Sequence, residues 1–236
     1  MNRRRGLLAA IGASMATCSP LTRAQAPTPP SPRVGELRPL GQDRYQIGRI
    51  VVDKGANTFT IPGRVHVVGT PLEYLATSPG GRKAYETLLE VDASGSEFNL
   101  ACILIGLERD PKQVPWQQLR QAERLVGRRI AIFISWSENG KLRKVPAAEA
   151  LLNPDAGVKP ESVEWVYIGS PASEGRDHFA ADDTGTLIGF VHDANSIIES
   201  VSGIGVGAFG SVRGHTMLPP VGSTIELIVQ ASAAAR

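Results

Sequence analysis

Short β-rich runs recur along this chain, each closed off by a turn rich in glycine, proline or asparagine, and that rhythm restricts the fold more than any other feature. Residues 49–53 and 58–61 are two such runs, separated by Lys54-Gly55-Ala56-Asn57, a hairpin loop of the longer type. Residues 65–68 resume the pattern after Pro62-Gly63. Residues 72–77 and 84–89 flank Ser78-Pro79-Gly80-Gly81, which reads as another hairpin turn. Residues 129–136 and 142–145 flank Asn139-Gly140, the strongest two-residue hairpin signal in the chain. Residues 163–168, 186–191 and 223–229 complete the strands.

Helical spacing interrupts the strands in blocks. Ser94 or Ser96 caps a helix running through Leu107, with Phe98, Ala101, Cys102 and Ile105 three and four residues apart on one face. Pro115 starts a second helix over residues 116–125, and Pro146 opens a short one through Leu152. Residues 203–222, rich in glycine and proline and without periodicity, read as a long loop. The expected class is α+β: a single domain with a mainly antiparallel β-sheet built from hairpins, plus two or three helices.

The chain opens on Arg3-Arg4-Arg5, an apolar stretch from Gly6 to Ala16, and Ala24-Gln25-Ala26, the three regions of an export signal with cleavage expected after Ala26. The arginine run before Gly6-Leu7-Leu8 also suits a twin-arginine signal, so the Sec and twin-arginine routes are both open. Cys18 stands where a lipoprotein signal would place its lipidated cysteine, but Thr17 fills the position that should be small, which disfavours lipidation. The expected layout is a signal at 1–26, a proline-rich linker at 27–41, a folded domain at 42–231 and a disordered tail at 232–236. The signal holds four arginines and no acid, so a formal charge of +2 becomes −2 for the mature part, located in the periplasm or secreted. That excludes the basic surface a nucleic-acid binder requires; Lys141, Arg143 and Lys144 read as a solvated hairpin. One cysteine remains, so no internal disulfide is expected and a hydrophobic core must hold the fold. No later stretch is long and apolar enough for a transmembrane segment.

The chemistry-bearing motifs mostly have structural explanations. Gly205-Val206-Gly207-Ala208-Phe209-Gly210 matches a dinucleotide fingerprint, yet Gly214, Pro219 and Pro220 break the helix that must follow, so no cofactor is expected. Asp183-Thr184-Gly185 has the letters of an aspartic-protease signature without its apolar lead-in or second copy, and reads as a turn into the next strand. Cys102 lies in an apolar run and reads as core. His66, His178, His192 and His215 show no metal-ligand spacing, so no metal is expected.

Two carboxylates stand out. If Pro79 and Gly80 occupy the turn of a 72–89 hairpin, Thr77 faces Arg82, Leu75 faces Ala84 and Glu73 faces Glu86. Facing carboxylates in a partly apolar setting raise a pKa, recruit a cation or demand a basic partner. Such groups build acid/base sites, although Arg64 or Arg82 closing a structural ion pair, or a register shifted by two residues, would equally account for them. Glu73 and Glu86 are therefore the candidate catalytic residues, with Tyr74, Tyr85 and His66 as candidate binding residues.

The ordered set Ile50-Val51-Val52-Asp53-Lys54, Phe59-Thr60-Ile61-Pro62-Gly63-Arg64-Val65, Leu72-Glu73-Tyr74-Leu75 and Lys83-Ala84-Tyr85-Glu86-Thr87-Leu88-Leu89 resembles the YdjY-domain family of exported bacterial proteins. Leu100 to Gly106, Trp165 to Ser170, Ala180-Ala181-Asp182, Gly185 and Leu218-Pro219-Pro220-Val221-Gly222 extend the resemblance over most of residues 45–229. It implies an exported globular domain and includes Glu73 and Glu86 as family positions, but brings no activity or ligand with it. A four-cysteine iron–sulfur cluster, suggested by the labels of some relatives, cannot be built on Cys102 alone. The expected function is an exported binding or accessory module whose partner is a small molecule or an envelope protein. The alternatives are a hydrolase or metal-assisted enzyme using Glu73 and Glu86, and a structural subunit of an envelope complex.

Overall fold

The computed structural model describes residues 35–152, 163–171, 179–203 and 212–232. Its strands are β1 (Leu37–Gly41), β2 (Arg44–Ile47), β3 (Ile50–Asp53), β4 (Thr58–Val65), β5 (Tyr74–Thr77), β6 (Thr87–Val91), β7 (Arg129–Glu138), β8 (Lys141–Pro146), β9 (Leu151–Leu152), β10 (Trp165–Tyr167), β11 (Thr186–Gly189), β12 (Ile198–Ser200), β13 (Arg213–Gly214) and β14 (Thr224–Ala231). Two α-helices accompany them, α1 (Gly95–Leu104) and α2 (Ala180–Thr184).

Eight strands close into a barrel in the order β4-β14-β7-β10-β12-β11-β5-β6, and β6 returns to β4 through Gly63↔Val91, Arg64↔Glu90 and Val65↔Leu89. Two neighbouring pairs, β11–β12 and β5–β6, are parallel, and the other six are antiparallel. Along β14, Ile225, Leu227, Val229 and Ala231 are buried and alternate with more exposed residues, the period-two signature of a strand with one face inward. Ile130, Ile132, Ile134 and Trp136 of β7 continue that inner face. The interior is filled with side chains, as an eight-stranded barrel requires. The helix α1 adds Phe98, Ala101, Cys102 and Ile105 to the same core, with Phe98 edge-on to Phe59 of β4 at 5.3 Å. Ser94 caps it, accepting from the Glu97 amide while Glu97 accepts from the Ser94 amide, a reciprocal capping box. Ser96 donates to Asp182, tying the start of α1 to α2.

The sheet forks on both sides of β14. On the far edge of β4, β3 pairs with residues 58–60 and β6 with residues 63–65. Pro62 sits at the fork, where its donorless nitrogen leaves no amide unpaired and its carbonyl accepts from the Asp92 amide. Gly63 admits β6, because a Cβ there would lie 2.4 Å from the Glu90 carbonyl oxygen. The far edge of β7 divides likewise, between β10 at residues 129–130 and β8 at residues 133–138.

The α+β expectation is overturned: the fold is mostly β, a closed barrel with extra strands. Four local readings misled it. The 72–89 segment is not a hairpin: β5 and β6 run parallel, with Tyr74↔Thr87 and Ala76↔Leu89, because a short 3-10 turn at Ala84–Glu86 carries the chain back before β6 begins. The helix read at 116–125 is a 3-10 segment, Trp116–Gln121, and the one read after Pro146 is a four-residue 3-10 turn. Pro62-Gly63, read as a break, lies inside β4. The β3–β4 and β7–β8 hairpins form as read, the latter with positive φ at both Asn139 and Gly140. The G-x-G-x-x-G stretch and His178 lie outside the described residues.

Candidate functional site

Glu73 and Glu86 do meet. The Glu73 amide donates to the Glu86 carbonyl at 2.9 Å, extending the parallel β5–β6 pairing by one residue and setting both side chains on one face. Glu73, the residue just before β5, is also the one position at which parallel and antiparallel pairings nominate the same partner. Lys83, at the start of the Ala84–Glu86 turn, places Nζ 3.0 Å from Glu86 Oε2 and 3.7 Å from Glu73 Oε2. Burial pushes the Glu73 carboxyl up, the Glu86 charge and a hydrogen bond to Glu86 add to this, and Lys83 and Arg120 oppose it. Burial pulls the Lys83 ammonium down, but its contacts with Glu86, Tyr85 and Glu73 outweigh that and raise it. Tyr85 is exposed, with Lys83 Nζ 5.5 Å from its ring centroid. Chemically this is a carboxyl pair able to share a proton, with a lysine already in the place a cation would take.

Tyr74 and His66 lie elsewhere. Side chains alternate along a strand, so Tyr74 turns inward where Glu73 turns out, and its hydroxyl donates to Asp193 Oδ2 at 2.7 Å. His66 Nδ1 is 3.2 Å from Glu90 Oε2, an oxygen that also accepts from Arg64. Glu90 Oε1 accepts from the Gly80 amide at 2.9 Å, so this buried carboxylate is fully engaged in structure. Cys102 is buried, and burial pushes its thiol well up, away from nucleophilic use.

Sequence reading missed a buried polar network behind Tyr74. Glu199 of β12 is fully enclosed; its Oε1 accepts from the Asp193 amide at 3.2 Å and its Oε2 lies 3.4 Å from His192 Nδ1. Burial raises the Glu199 carboxyl to about 7, against the opposing effects of His192, the Ser196 hydroxyl and the Asp193 amide. Asp193 Oδ1 accepts from the Asn195 amide and side chain. His192 Nε2 is buried and without a hydrogen-bond partner among the described residues. Gly189 makes room for Glu199, since a Cβ would stand 2.4 Å from its Oε1. The available signal was Glu199 inside Ile197-Ile198-Glu199-Ser200-Val201, an ionisable residue in an otherwise apolar run.

Two hollows open where the sheet forks. One, of about 510 Å³, is lined by Arg44, Gln46, Arg49, Val51, Thr60, Pro62 and Glu226 on the outer face beside the β4 fork. The other, of about 350 Å³, lies at the β7 fork, and Ile130, Ala131, Ile132, Phe133, Ala148 and Trp165 form most of its wall. The Ser232 amide donates to the Arg129 carbonyl, so the odd-numbered residues of β7 point their backbone groups at β14 and the even-numbered ones at the forked edge. Ile130 meets Trp165 of β10 and Ile134 meets Val145 of β8, whereas Ile132, between them, belongs to neither ladder.

Among the described residues no three His, Cys, Asp or Glu side chains gather closely enough to hold a metal ion, and no helix is long and apolar enough to cross a membrane. No curated protein and no solved structure matches the chain. A family model for the YdjY domain matches residues 50–230, from the start of β3 almost to the end of β14. This span contains all of the barrel but its last residue, the carboxyl pair, the buried network and the β7 groove, and the chain belongs to the YdjY-domain family.

Proposed function

We propose that the chain is an exported binding or accessory module that acts outside the cytoplasm after cleavage following Ala26, and that the groove at the β7 fork receives its ligand. The observation that carries this is the groove itself: a concave, largely apolar wall at the place where two ladders end on one strand. Small-ligand sites are concave and apolar with a few placed polar groups. The Glu73–Glu86 pair already holds its own cation in Lys83, which favours a structural role for it. The test is ligand screening by NMR on the mature chain, beside an Ala131→Trp variant that fills the groove. Binders should map to residues 129–133 and 146–149 and be lost in the variant. Binders that map to Glu73 and Glu86 would overturn the proposal. Fractionation should find a mature protein beginning at Pro27 in the periplasm.

One observation favours an enzymatic second reading: burial, and after it the contact with Glu86, raises the Glu73 carboxyl, as in an acid/base pair. Hydrolytic activity abolished by Glu86→Gln and untouched by Ala131→Trp would establish it.

A further inference from the structure

Resting on the groove reading, we infer that the ligand is a small amphiphile with a cationic end, its apolar body against the β7 wall and its positive charge at Glu149. Three charged residues line the groove, Arg129, Glu149 and Glu164. Arg129 is taken: its Nε lies 3.2 Å from Glu164 Oε1, and Arg124 approaches the other oxygen of the same carboxylate at 3.4 Å. Lys144 of β8 lies over the Phe133 ring, 4.2 Å from its centroid, and is not part of the groove wall. Glu149, half-buried in the Ala147–Ala150 turn, meets no cation among the described residues. Among the described residues, the lining therefore carries one negative charge without a cation beside it, next to an apolar wall.

That combination selects for charge as well as for apolar surface. An anionic amphiphile would set its charge against Glu149, and a neutral one would leave the carboxylate beside the bound apolar body without a partner. An ammonium group supplies that partner. A volume of about 350 Å³ suits a compact molecule and not a folded partner.

The experiment is calorimetric titration of the mature chain with n-hexylammonium chloride and with hexanol, near pH 7 and at low salt, using wild type, Glu149→Gln and Ala131→Trp, each checked for folding by its melting curve. The expected result is that the ammonium binds wild type about five- to tenfold more tightly than hexanol, that Glu149→Gln removes this preference, and that Ala131→Trp removes both ligands. Equal binding of the two ligands to wild type, both lost in Ala131→Trp, would sink the cationic class and leave the groove reading standing. Binding indifferent to Ala131→Trp, or no binding at all, would take the groove reading down with it. A dimer in sedimentation that Ala131→Trp dissociates would give the groove to a second copy of the chain and overturn the inference.

Discussion

Replacing Glu199 by Gln should flatten the pH dependence of stability. The folded protein keeps the Glu199 proton up to about pH 7, whereas the unfolded chain releases it near the ordinary value of 4.5. Between those values the folded state binds more protons at this site, so the stability contributed by Glu199 is fully present below pH 4.5 and is lost as pH rises through the window. Each tenfold difference in proton affinity between the two states is worth about 1.4 kcal/mol, giving about 3 kcal/mol in full and roughly 2–3 kcal/mol between pH 5 and pH 8. The groups facing Glu199 are His192, Asp193 and Ser196, with Tyr74 reaching it through Asp193. The side-chain amide introduced by Glu199→Gln cannot ionise, still accepts from the Asp193 amide, and presents a donor to His192 Nδ1. Urea unfolding of both proteins at pH 5 and pH 8 measures the effect. Wild type should lose roughly 2–3 kcal/mol more than the variant over that range. Parallel pH profiles would refute the reasoning and show Glu199 to be ionised throughout.

Gly189→Ala would force a methyl group to within 2.4 Å of Glu199 Oε1 and 2.9 Å of Ser196 Oγ; overpacking of this kind costs about 1–3 kcal/mol by chemical denaturation, and a neutral outcome would mean β11 and β12 can separate freely. Tyr74→Phe deletes the donor to buried Asp193 Oδ2 and should destabilise by about 1–3 kcal/mol, with Glu73 and Glu86 undisturbed on the opposite face of β5; unchanged urea midpoints would contradict that hydrogen bond.

Features set by neighbours in sequence were legible. Asn139-Gly140 fixes its hairpin because both residues tolerate positive φ, and Ser94 with Glu97 fixes the start of α1 because each satisfies the other's amide. Features set by distant partners were not. Nothing near Gly63 announces that β6 will approach it, and the two- and three-residue strands β9, β12 and β13 are too short to show a period. β5 is buried on both faces, so its run lacks the alternation that would have revealed which side Tyr74 takes. Glu73 and Glu86 were paired correctly from a hairpin that does not exist, because that one pair satisfies both strand directions. Glu199 required knowing that Ile198, Glu199 and Ser200 would all be enclosed. The groove arises where two ladders end on one strand, and no local motif encodes it.

The position of β14 bears on when this protein can acquire its structure. The ribosome makes this strand last among those in the barrel, yet it is the seam between β4 and β7, pairing along its length with both. Until residue 231 is available, β4 and β7 each lack the neighbour that completes their inner face, and the barrel remains an open trough of apolar side chains. A chain emerging progressively must stay uncommitted, or be shielded, for almost the whole of its synthesis. Closure then comes as a late, concerted event, and loss of the last dozen described residues would forfeit the barrel and not merely trim it.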